Sequence, residues 1–352
     1  GADAQAQLRH EALILKRLEA VQGVIRLAAE QEAGVLVFED DRSESLAKFL
    51  MAHRFTQNKA LQLALDITQI LACVHRAGVI HKDINLSNIL LEGPDQRPVL
   101  IDFNIATCFA EERQSFTHQR QIAGTLAYMS PEQTGRTGRA VDQRSDLYAL
   151  GVTLYELFTG RKPFESEDLL EMIHDHLVRR PVAPSQVNAS LPLALSDIVM
   201  RLLEKEADRR YQSAEGLGRD LVRLKDRLAQ GLLDSFPLGV DDFPMRLTPP
   251  SALVGRKEEI ALLQEAIDRN SRGEGRALLI SGAPGVGKSA LINELQPMVS
   301  ARRGWFVSGK FEQYQRDTTS AFVQALRALG RLLLAEPEDQ LAHHRDRILV
   351  AL

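Results

Sequence analysis

The sequence predicts two domains of different fold class, an α+β domain with a large helical part followed by an incomplete α/β domain. Its 352 residues are enough for about two domains of roughly 150 residues each. Helical periodicity dominates the first part, and a strand–glycine loop–helix pattern begins afresh after a proline-rich break. We place the first domain at 1–230, a linker at 231–250 and the second domain at 251–352.

Composition and charge exclude several classes of function. Apolar residues make up 44% and charged residues 26%, which argues against disorder. The net charge of -4 provides no basic field for nucleic acid or anionic lipid. No apolar run approaches the roughly 18 residues of a membrane helix. Two cysteines, Cys73 and Cys108, cannot build a disulfide framework, so we expect a cytoplasmic protein.

The helices of the first domain are predicted from apolar residues at helical spacing. Leu8, Ala12 and Leu15 recur at i, i+4 and i+7 and predict a first helix that stops at Gly23. The third predicted helix is apolar nearly all round, which is typical of a helix buried inside a helical domain. After the first helix, the predicted helices cover 58–76, 146–159, 166–178, 194–204 and 214–229.

Short extended segments are predicted where brief apolar runs alternate with charged residues. Because polar residues directly follow several of these runs, we expect functional side chains at the ends of strands, where the backbone is rigid. The predicted segments are 24–29, 35–38, 79–80, 89–91 and 99–101.

Three polar segments stand in a fixed order along the first domain. The first holds Asp83 and Asn88, the second opens with Asp102, and the third ends in Glu132. Phosphoryl transfer needs a carboxylate that orients the incoming hydroxyl and oxygen ligands for the magnesium ion on the phosphates. Asp83 suits the first role, whereas Asn88 and Asp102 suit the second. Alone, each acid would more often be a cap or turn residue, but their order and spacing favour function.

Together these segments resemble the eukaryotic-type serine/threonine protein kinase family over about residues 8–229. The resemblance implies the kinase fold, mostly its helical large lobe with part of the small lobe. It implies that Asp83 and Asn85 are catalytic and that Asn88 and Asp102 bind metal. ATP and Mg²⁺ are the implied cofactors, and a protein Ser or Thr hydroxyl is the implied substrate.

Other positions match motifs of the same family. The resemblance implies that Glu11 is the glutamate of the regulatory helix and that Glu39 lies at the hinge that meets adenine. Both are therefore expected at the nucleotide, and Thr125 is expected in the substrate-binding loop. Buried charges must be paired, and the resemblance implies such structural roles for Glu132, Asp146 and Arg210.

Three residues depart from the family pattern. Asn85 stands where serine/threonine kinases usually carry a lysine, so a cation beside the transferred phosphate is lost, although an amide can still donate a hydrogen bond. Lys82 replaces an arginine and offers a point charge instead of a planar fork. Asn104 replaces a glycine, and asparagine is the side chain that best tolerates left-handed backbone.

The residues before Glu11 contain neither a glycine-rich phosphate loop nor the strand lysine that the family pairs with this glutamate. Two explanations stay open: the sequence is a fragment without the first strands, or it is a pseudokinase. Gly1 in place of Met favours the fragment. We expect the chain as written to transfer phosphate poorly or not at all.

The second domain contains a glycine-rich loop in a strand–loop–helix setting. An apolar strand is predicted at 277–281, the sequence GAPGVGKS occupies 282–289, and a helix is predicted over 290–298. The alternative is a glycine-rich turn with a chance lysine, but the flanking elements favour nucleotide binding. The resemblance to AAA-type and signal-transduction P-loop ATPases covers 251–311. No convincing second acidic motif follows, because an amphipathic helix is predicted near 322–333.

Each residue of this loop has a physical role in the phosphate-loop pattern. Gly282, Gly285 and Gly287 let backbone N–H groups face the phosphates at the start of a helix. Lys288 reaches the terminal phosphates, and the Ser289 hydroxyl binds magnesium.

A kinase domain followed by a P-loop ATPase domain resembles the front half of large bacterial multidomain signalling proteins. In that family, sensor and histidine kinase modules often follow in the same chain. The resemblance implies phosphorylation of Ser or Thr in a protein substrate, coupled to the ATPase module. The alternative is a pseudokinase scaffold that nucleotide binding at the P-loop domain regulates.

Overall fold

A computed structural model describes residues 2–28, 35–39, 43–109, 126–137, 139–166, 168–244, 255–270, 272–275, 277–283, 285–302, 304–309 and 320–334. Its helices are α1 (Ala2–Arg17), α2 (Leu46–Ala52), α3 (Gln57–Arg76), α4 (Gln143–Thr159), α5 (Leu169–Leu177), α6 (Pro184–Val187), α7 (Leu193–Leu202), α8 (Ala214–Ala229), α9 (Lys257–Asn270), α10 (Lys288–Asn293), α11 (Leu295–Ala301) and α12 (Ser320–Leu334). Its strands are β1 (Arg26–Leu27), β2 (Phe38–Glu39), β3 (Glu44–Ser45), β4 (Val79–Ile80), β5 (Ile89–Glu92), β6 (Arg97–Leu100) and β7 (Thr107–Cys108).

Helix α3 is the long helix that the sequence predicts, and it packs against α4 and α8 in the helical lobe. It begins where the Thr56 side chain accepts a hydrogen bond from the backbone N–H of Lys59, which satisfies one of the donors at a helix start. Leu63, Ile67 and Leu71 are fully buried. Its amphipathic pattern therefore places the apolar face in the core.

Helix α4 is buried over nearly its whole length, as a sequence that is apolar nearly all round predicts. Asp142 caps its start by accepting from the backbone N–H of Arg144 at 2.8 Å, and Gly160 ends it in the left-handed conformation. A Cβ atom at Gly151 would lie 2.6 Å from Cβ of Leu202. Gly151 therefore permits the close approach of α4 and α7, which forms the centre of the lobe.

The strands form three small antiparallel sheets, and their pairing positions the polar loops. Strand β5 pairs with β6 and with β3, and β1 pairs with β2. Strand β4 pairs with β7 through Val79 and Cys108. The loop 81–88 connects β4 to β5, and the loop 101–106 connects β6 to β7. Because β4 pairs with β7 and β5 pairs with β6, both loops run between the same two pairs of strands. The topology therefore brings these two loops side by side.

Several predicted helices have different bounds in the structure. The helices predicted at 146–159, 166–178 and 194–204 correspond to α4, α5 and α7, with bounds shifted by one to three residues. Helix α1 ends at Arg17, before Gly23, because the N–H of Leu18 bonds to the carbonyls of both Ile14 and Leu15 and tightens the last turn. In the second domain, the single helix predicted after the glycine loop begins earlier and is divided at Glu294 into α10 and α11.

The strand predicted at 277–281 has no regular strand structure. A strand needs a hydrogen-bonded neighbour, and the described part of 255–334 provides none. The amphipathic helix predicted near 322–333 is present as α12. These residues thus form a helix rather than the end of an acidic strand.

The predicted linker is not free over its described part. Residues 232–244, which we call the strap, lie on the surface of the helical lobe. Asp242 accepts hydrogen bonds from the backbone N–H groups of Gln212 at 2.7 Å and Ser213 at 3.1 Å, and its side chain is 1% exposed. The guanidinium of Arg201 lies 3.8 Å from the same carboxylate. Prolines break the helical period here, but these polar contacts leave no periodic signal in the sequence.

Candidate active site

Two neighbouring loops build the site. The N–H of Ile101 donates to the carbonyl of Asn88 at 3.0 Å, and Nε2 of His81 lies 3.0 Å from the carbonyl of Ile101. These contacts connect the loop that carries Asp83 and Asn88 to the loop that carries Asp102. The order of the motifs along the sequence thus becomes proximity in space.

Asp83 has hydrogen bonds to both carboxylate oxygens. The amide nitrogen of Asn85 donates to Oδ1 at 2.9 Å, and the amide nitrogen of Asn88 donates to Oδ2 at 2.8 Å. Burial raises the pKa of Asp83; the charge of His81 and the two amide donors oppose this effect, and the charge of Asp102 adds to it. The carboxylate is therefore held in one orientation by neutral donors, as a residue that positions a hydroxyl must be.

Asn88 and Asp102 fit the requirements of a magnesium site. The amide nitrogen of Asn88 is used on Asp83, so its amide oxygen is the end suited to a cation. The charge of Asp102 contributes to raising the pKa of both Asp83 and Glu11. Negative charges that lie close together are stabilised by a divalent cation, and oxygen ligands are those that Mg²⁺ prefers.

Asp102 is one of the few non-glycine residues with left-handed backbone. Among the described residues, positive φ outside glycine occurs at Lys82, Gln96 and Asp102, with φ of 64° at Asp102. Strained backbone of this kind is concentrated at functional sites. Asn104, where the family has glycine, is not among them, so its replacement of glycine needs no left-handed tolerance.

Helix α1 is attached to the Asp102 loop by Glu11 and its neighbour. The Glu11 carboxylate accepts from the backbone N–H of Phe103 at 3.1 Å, and Nε2 of His10 lies 2.6 Å from the carbonyl of Ala106. Burial raises the pKa of Glu11, the hydrogen bond from Phe103 opposes this, and the charge of Asp102 adds to it. Glu11 thus lies beside the Asp102 loop, and its assignment to the nucleotide site stays a prediction.

A buried aspartate fixes the backbone just before Asp83. Asp146 accepts from the N–H groups of His81 at 2.9 Å and Lys82 at 2.7 Å, and from Nε2 of His75 at 2.8 Å. Burial acts to raise its pKa, but the two histidines outweigh burial and hold the pKa below its usual value. The His81 ring also packs on Phe103, with centroids 4.4 Å apart. Sequence reasoning missed this ring contact, because it joins two different motifs.

Glu132 and Arg210 form a fully buried ion pair. The guanidinium donates to the two carboxylate oxygens at 2.7 and 2.9 Å, and Oγ of Ser145 adds a third hydrogen bond at 2.7 Å. Burial acts to raise the pKa of Glu132, but Arg210 outweighs it and keeps the pKa low. This pair anchors the segment 130–134 to the helical lobe.

Gln133 was not predicted from the sequence. Its amide nitrogen donates to the carbonyl of Lys82 at 2.8 Å, and its amide oxygen accepts from the N–H of Ser130 at 3.1 Å. It therefore joins the segment around Glu132 to the Asp83 loop. A polar residue in a short turn has no periodic signature, so nothing in the sequence pattern distinguishes it.

Two predicted residues are not brought into this cluster. Glu39 lies exposed in β2, opposite Arg26, and no hydrogen bond among the described residues joins it to the Asp83 loop. Thr125 lies outside the described residues. Both assignments stay predictions.

The glycine loop of the second domain is folded around its lysine. Nζ of Lys288 donates to the carbonyls of Gly282 at 2.7 Å and Ala283 at 2.9 Å. The backbone between these carbonyls and Lys288 must therefore curve. Gly285 has φ of 81°, as the curvature requires. The predicted residues Gly287 and Ser289 stand at the start of α10, and Ser289 is exposed.

Two adjoining loops beside a helical lobe carry a carboxylate, an amide and a second carboxylate, a set of groups suited to phosphoryl transfer. The protein kinase domain model matches residues 2–221, and an AAA ATPase domain model matches residues 252–352. The first match covers more than half of the chain, which therefore belongs to the protein kinase domain family. The predicted order of a kinase domain and an ATPase domain is confirmed, as is the fold class.

Curated relatives include both bacterial and eukaryotic proteins. Hybrid signal transduction histidine kinase G of Dictyostelium discoideum is 39% identical over 251 residues, 65% of this chain and 7% of that protein. Serine/threonine-protein kinase PknB of Mycolicibacterium smegmatis is 36% identical over 168 residues, 48% of this chain and 26% of that protein. Histidine protein kinase 1 of Candida albicans is 29% identical over 310 residues, 79% of this chain and 12% of that protein. The chain thus spans a small part of each relative.

None of the helices in the described part of the chain combines the length and apolar character needed to cross a bilayer.

Proposed function

We propose that the protein transfers the γ-phosphoryl group of ATP to serine or threonine hydroxyls of a protein substrate. The observation that carries the proposal is the attachment of the Asp83 loop to the Asp102 loop, with both Asp83 oxygens held by amide donors. Similarity to serine/threonine-protein kinase PknB supports the choice of hydroxyl substrates.

The chain's own residues would divide the work of transfer. Asp83 would orient the substrate hydroxyl and accept its proton, since its carboxylate is fixed and near a second acid. Asn88 and Asp102 would hold Mg²⁺, which offsets the charge of the phosphates when it is bound. Glu11 would keep α1 against the Asp102 loop.

We further propose that this transfer is part of a signalling protein in which the ATPase domain, and sensor or histidine kinase modules in the same chain, adjust the kinase. Two relatives with histidine kinase names support this setting. A cytoplasmic location would supply ATP and Mg²⁺. A bacterial parent stays a prediction, because the relatives come from several kingdoms.

The test measures phosphate incorporation into a protein substrate by a longer form of the protein that carries a glycine-rich loop and strand lysine before α1. Asp83→Asn should lower incorporation by about 100-fold or more, because the orienting carboxylate is lost. Asp95→Asn is the matched control, since the Asp95 side chain is 72% exposed in a turn, and it should change nothing. Equal incorporation by Asp83→Asn and the unaltered protein would eliminate the proposal.

The second candidate function is a pseudokinase scaffold regulated by nucleotide at the P-loop domain. One observation favours it: Asn85 is uncharged, and its amide is engaged inside its own loop, so this position supplies neither a cation nor a free donor for the phosphate. If only the P-loop domain binds nucleotide, Lys288→Ala should abolish all ATP binding, measured by calorimetry. Binding that persists in Lys288→Ala and is lost on adding Asp102→Asn would support the kinase instead.

A further inference from the structure

Asn85 stands two positions after Asp83, where the family usually has lysine. Both the nitrogen and the oxygen of its side-chain amide make hydrogen bonds. Its amide nitrogen donates to Oδ1 of Asp83 at 2.9 Å. Its amide oxygen accepts from the backbone N–H groups of Ser87 at 2.9 Å and Asn88 at 3.1 Å. These two acceptor contacts fix which end is oxygen, because a backbone N–H cannot donate to an amide nitrogen.

The two ends cannot be separated without cost. The residue is 5% exposed, and the oxygen caps the single turn Leu86–Asn88, which carries the proposed metal ligand. Turning the amide toward a phosphate would break the bond to Asp83 and take the acceptor from the N–H of Ser87, and it would leave the N–H of Asn88 with only the backbone carbonyl of Asn85, at 3.1 Å. Because the turn would lose hydrogen bonds that a buried side chain now makes, the observed orientation should persist when nucleotide binds.

We propose that Asn85 is a positioning residue for phosphoryl transfer, which holds the Asp83 carboxylate with its nitrogen and the Asn88 turn with its oxygen. It connects the residue that orients the hydroxyl to the residue that holds the metal. It makes no contact with the transferred phosphate and is not a weakened substitute for lysine. The inference rests on the proposed kinase function.

The two interpretations of Asn85 differ in what lysine would do there. If Asn85 faced the phosphate, Asn85→Lys would restore a cation and raise kcat. A lysine side chain has no acceptor for the N–H of Ser87, and the N–H of Asn88 would keep only the backbone carbonyl of residue 85. Asn85→Lys should therefore lower kcat about tenfold or more, in line with the large cost of misplacing a catalytic group, and lower the unfolding midpoint.

Asn85→Ser separates positioning from capping. Serine can still cap the turn, but it has no amide nitrogen for Asp83. We expect kcat to fall about tenfold while KM for ATP changes less than about twofold and the unfolding midpoint is nearly kept. The matched control is Asn188→Ser, because Asn188 caps a surface turn by accepting from the N–H of Ser190 at 3.1 Å; kcat should not change. A higher kcat for Asn85→Lys, or unaltered kcat for Asn85→Ser, would overturn the proposal.

A second measurement on the present chain does not depend on transfer and so separates this inference from the proposed function. In ¹⁵N-labelled protein, the side-chain amide signal of Asn85 is identified by its loss in Asn85→Ser. It should shift in Asp83→Asn, which replaces the carboxylate acceptor. An Asn85 signal that does not shift in Asp83→Asn would contradict the proposal even if the unaltered protein transfers phosphate. If the protein transfers no phosphate but the Asn85 signal does shift in Asp83→Asn, the result would count against the proposed kinase function alone.

Discussion

The carboxylate of Glu11 accepts a hydrogen bond from the backbone N–H of Phe103, 3.1 Å away and 92 positions later in the chain. This single contact ties helix α1 to the loop that carries Asp102. In the family that the chain belongs to, the same glutamate is expected to pair with a lysine on an earlier strand. The described residues show the hydrogen bond to Phe103, and the pairing of Glu11 with a lysine stays a prediction.

Substitution of Glu11 should separate the effect of its hydrogen bond to Phe103 from the effect of its negative charge. Glu11→Gln keeps an oxygen that can accept from Phe103 and should leave α1 in place, whereas Glu11→Ala should release it. Hydrogen exchange measured by mass spectrometry over α1 and 101–106 should accelerate in Glu11→Ala and stay close to that of the unaltered protein in Glu11→Gln. Equal acceleration in both variants would show that charge, rather than the hydrogen bond, holds the helix.

Loss of Arg210 should be the most destabilising of the single changes considered. Arg210 is 0% exposed, and Arg210→Met would leave the buried Glu132 carboxylate without its charge partner, which costs about 3–5 kcal/mol. Urea unfolding of the chain measures this. The control is Arg97→Met, because the Arg97 side chain is 76% exposed in its pair with Asp95. This variant should change the free energy of unfolding by less than about 0.5 kcal/mol. Similar losses in both variants would contradict the structure.

Lys205 should make the stability of the lobe depend on pH. Burial and the charge of Arg210 lower its pKa from 10.5 to about 7, against the opposing charges of Asp175 and Glu204. Its Nζ donates to the carbonyl of Asp175 at 2.9 Å and lies 4.4 Å from the ring centre of Phe164. The folded state thus binds this proton more weakly than the unfolded state does.

The sign of the effect follows from this difference. Between about pH 7 and pH 10.5 the unfolded chain carries the proton and the folded chain has released it, so the contribution of Lys205 to stability rises with pH. Lys205→Met should therefore gain most stability relative to the unaltered protein near pH 6, and progressively less toward pH 9.5. Lys48→Met, whose parent side chain is 75% exposed, should give a difference that does not change with pH.

The strap should contribute to the stability of the helical lobe. Asp242→Ala removes the acceptor of the N–H groups of Gln212 and Ser213 and should cost about 1–3 kcal/mol. Limited proteolysis should then cut within 232–244 at an earlier time. Asp241→Ala is the matched neighbour, since the Asp241 side chain is 53% exposed, and it should leave the strap protected. Identical digestion of the two variants would indicate a free linker.

Local pattern was enough to predict most of the helical lobe. The helices over 58–76 and 214–229 appear within about one residue of their predicted bounds, as α3 and α8. Their apolar faces repeat at helical spacing and their caps are local, so both signals lie in neighbouring residues. The prediction of a strand at 277–281 was wrong for the opposite reason: a strand forms only beside another strand, and that partner is not a signal in neighbouring residues.

The sequence by itself predicted the chemistry that we propose for this protein, because the residue types and order of Asp83, Asn88 and Asp102 already indicate a site for a hydroxyl, a metal and a triphosphate. Only the tertiary structure decided how that chemistry is held. It turned the Asn85 amide inward onto Asp83 and placed the Asp242 carboxylate at the start of α8. Side-chain hydrogen bonds of this kind depend on direction and distance between segments, and neither quantity leaves a periodic trace along the chain.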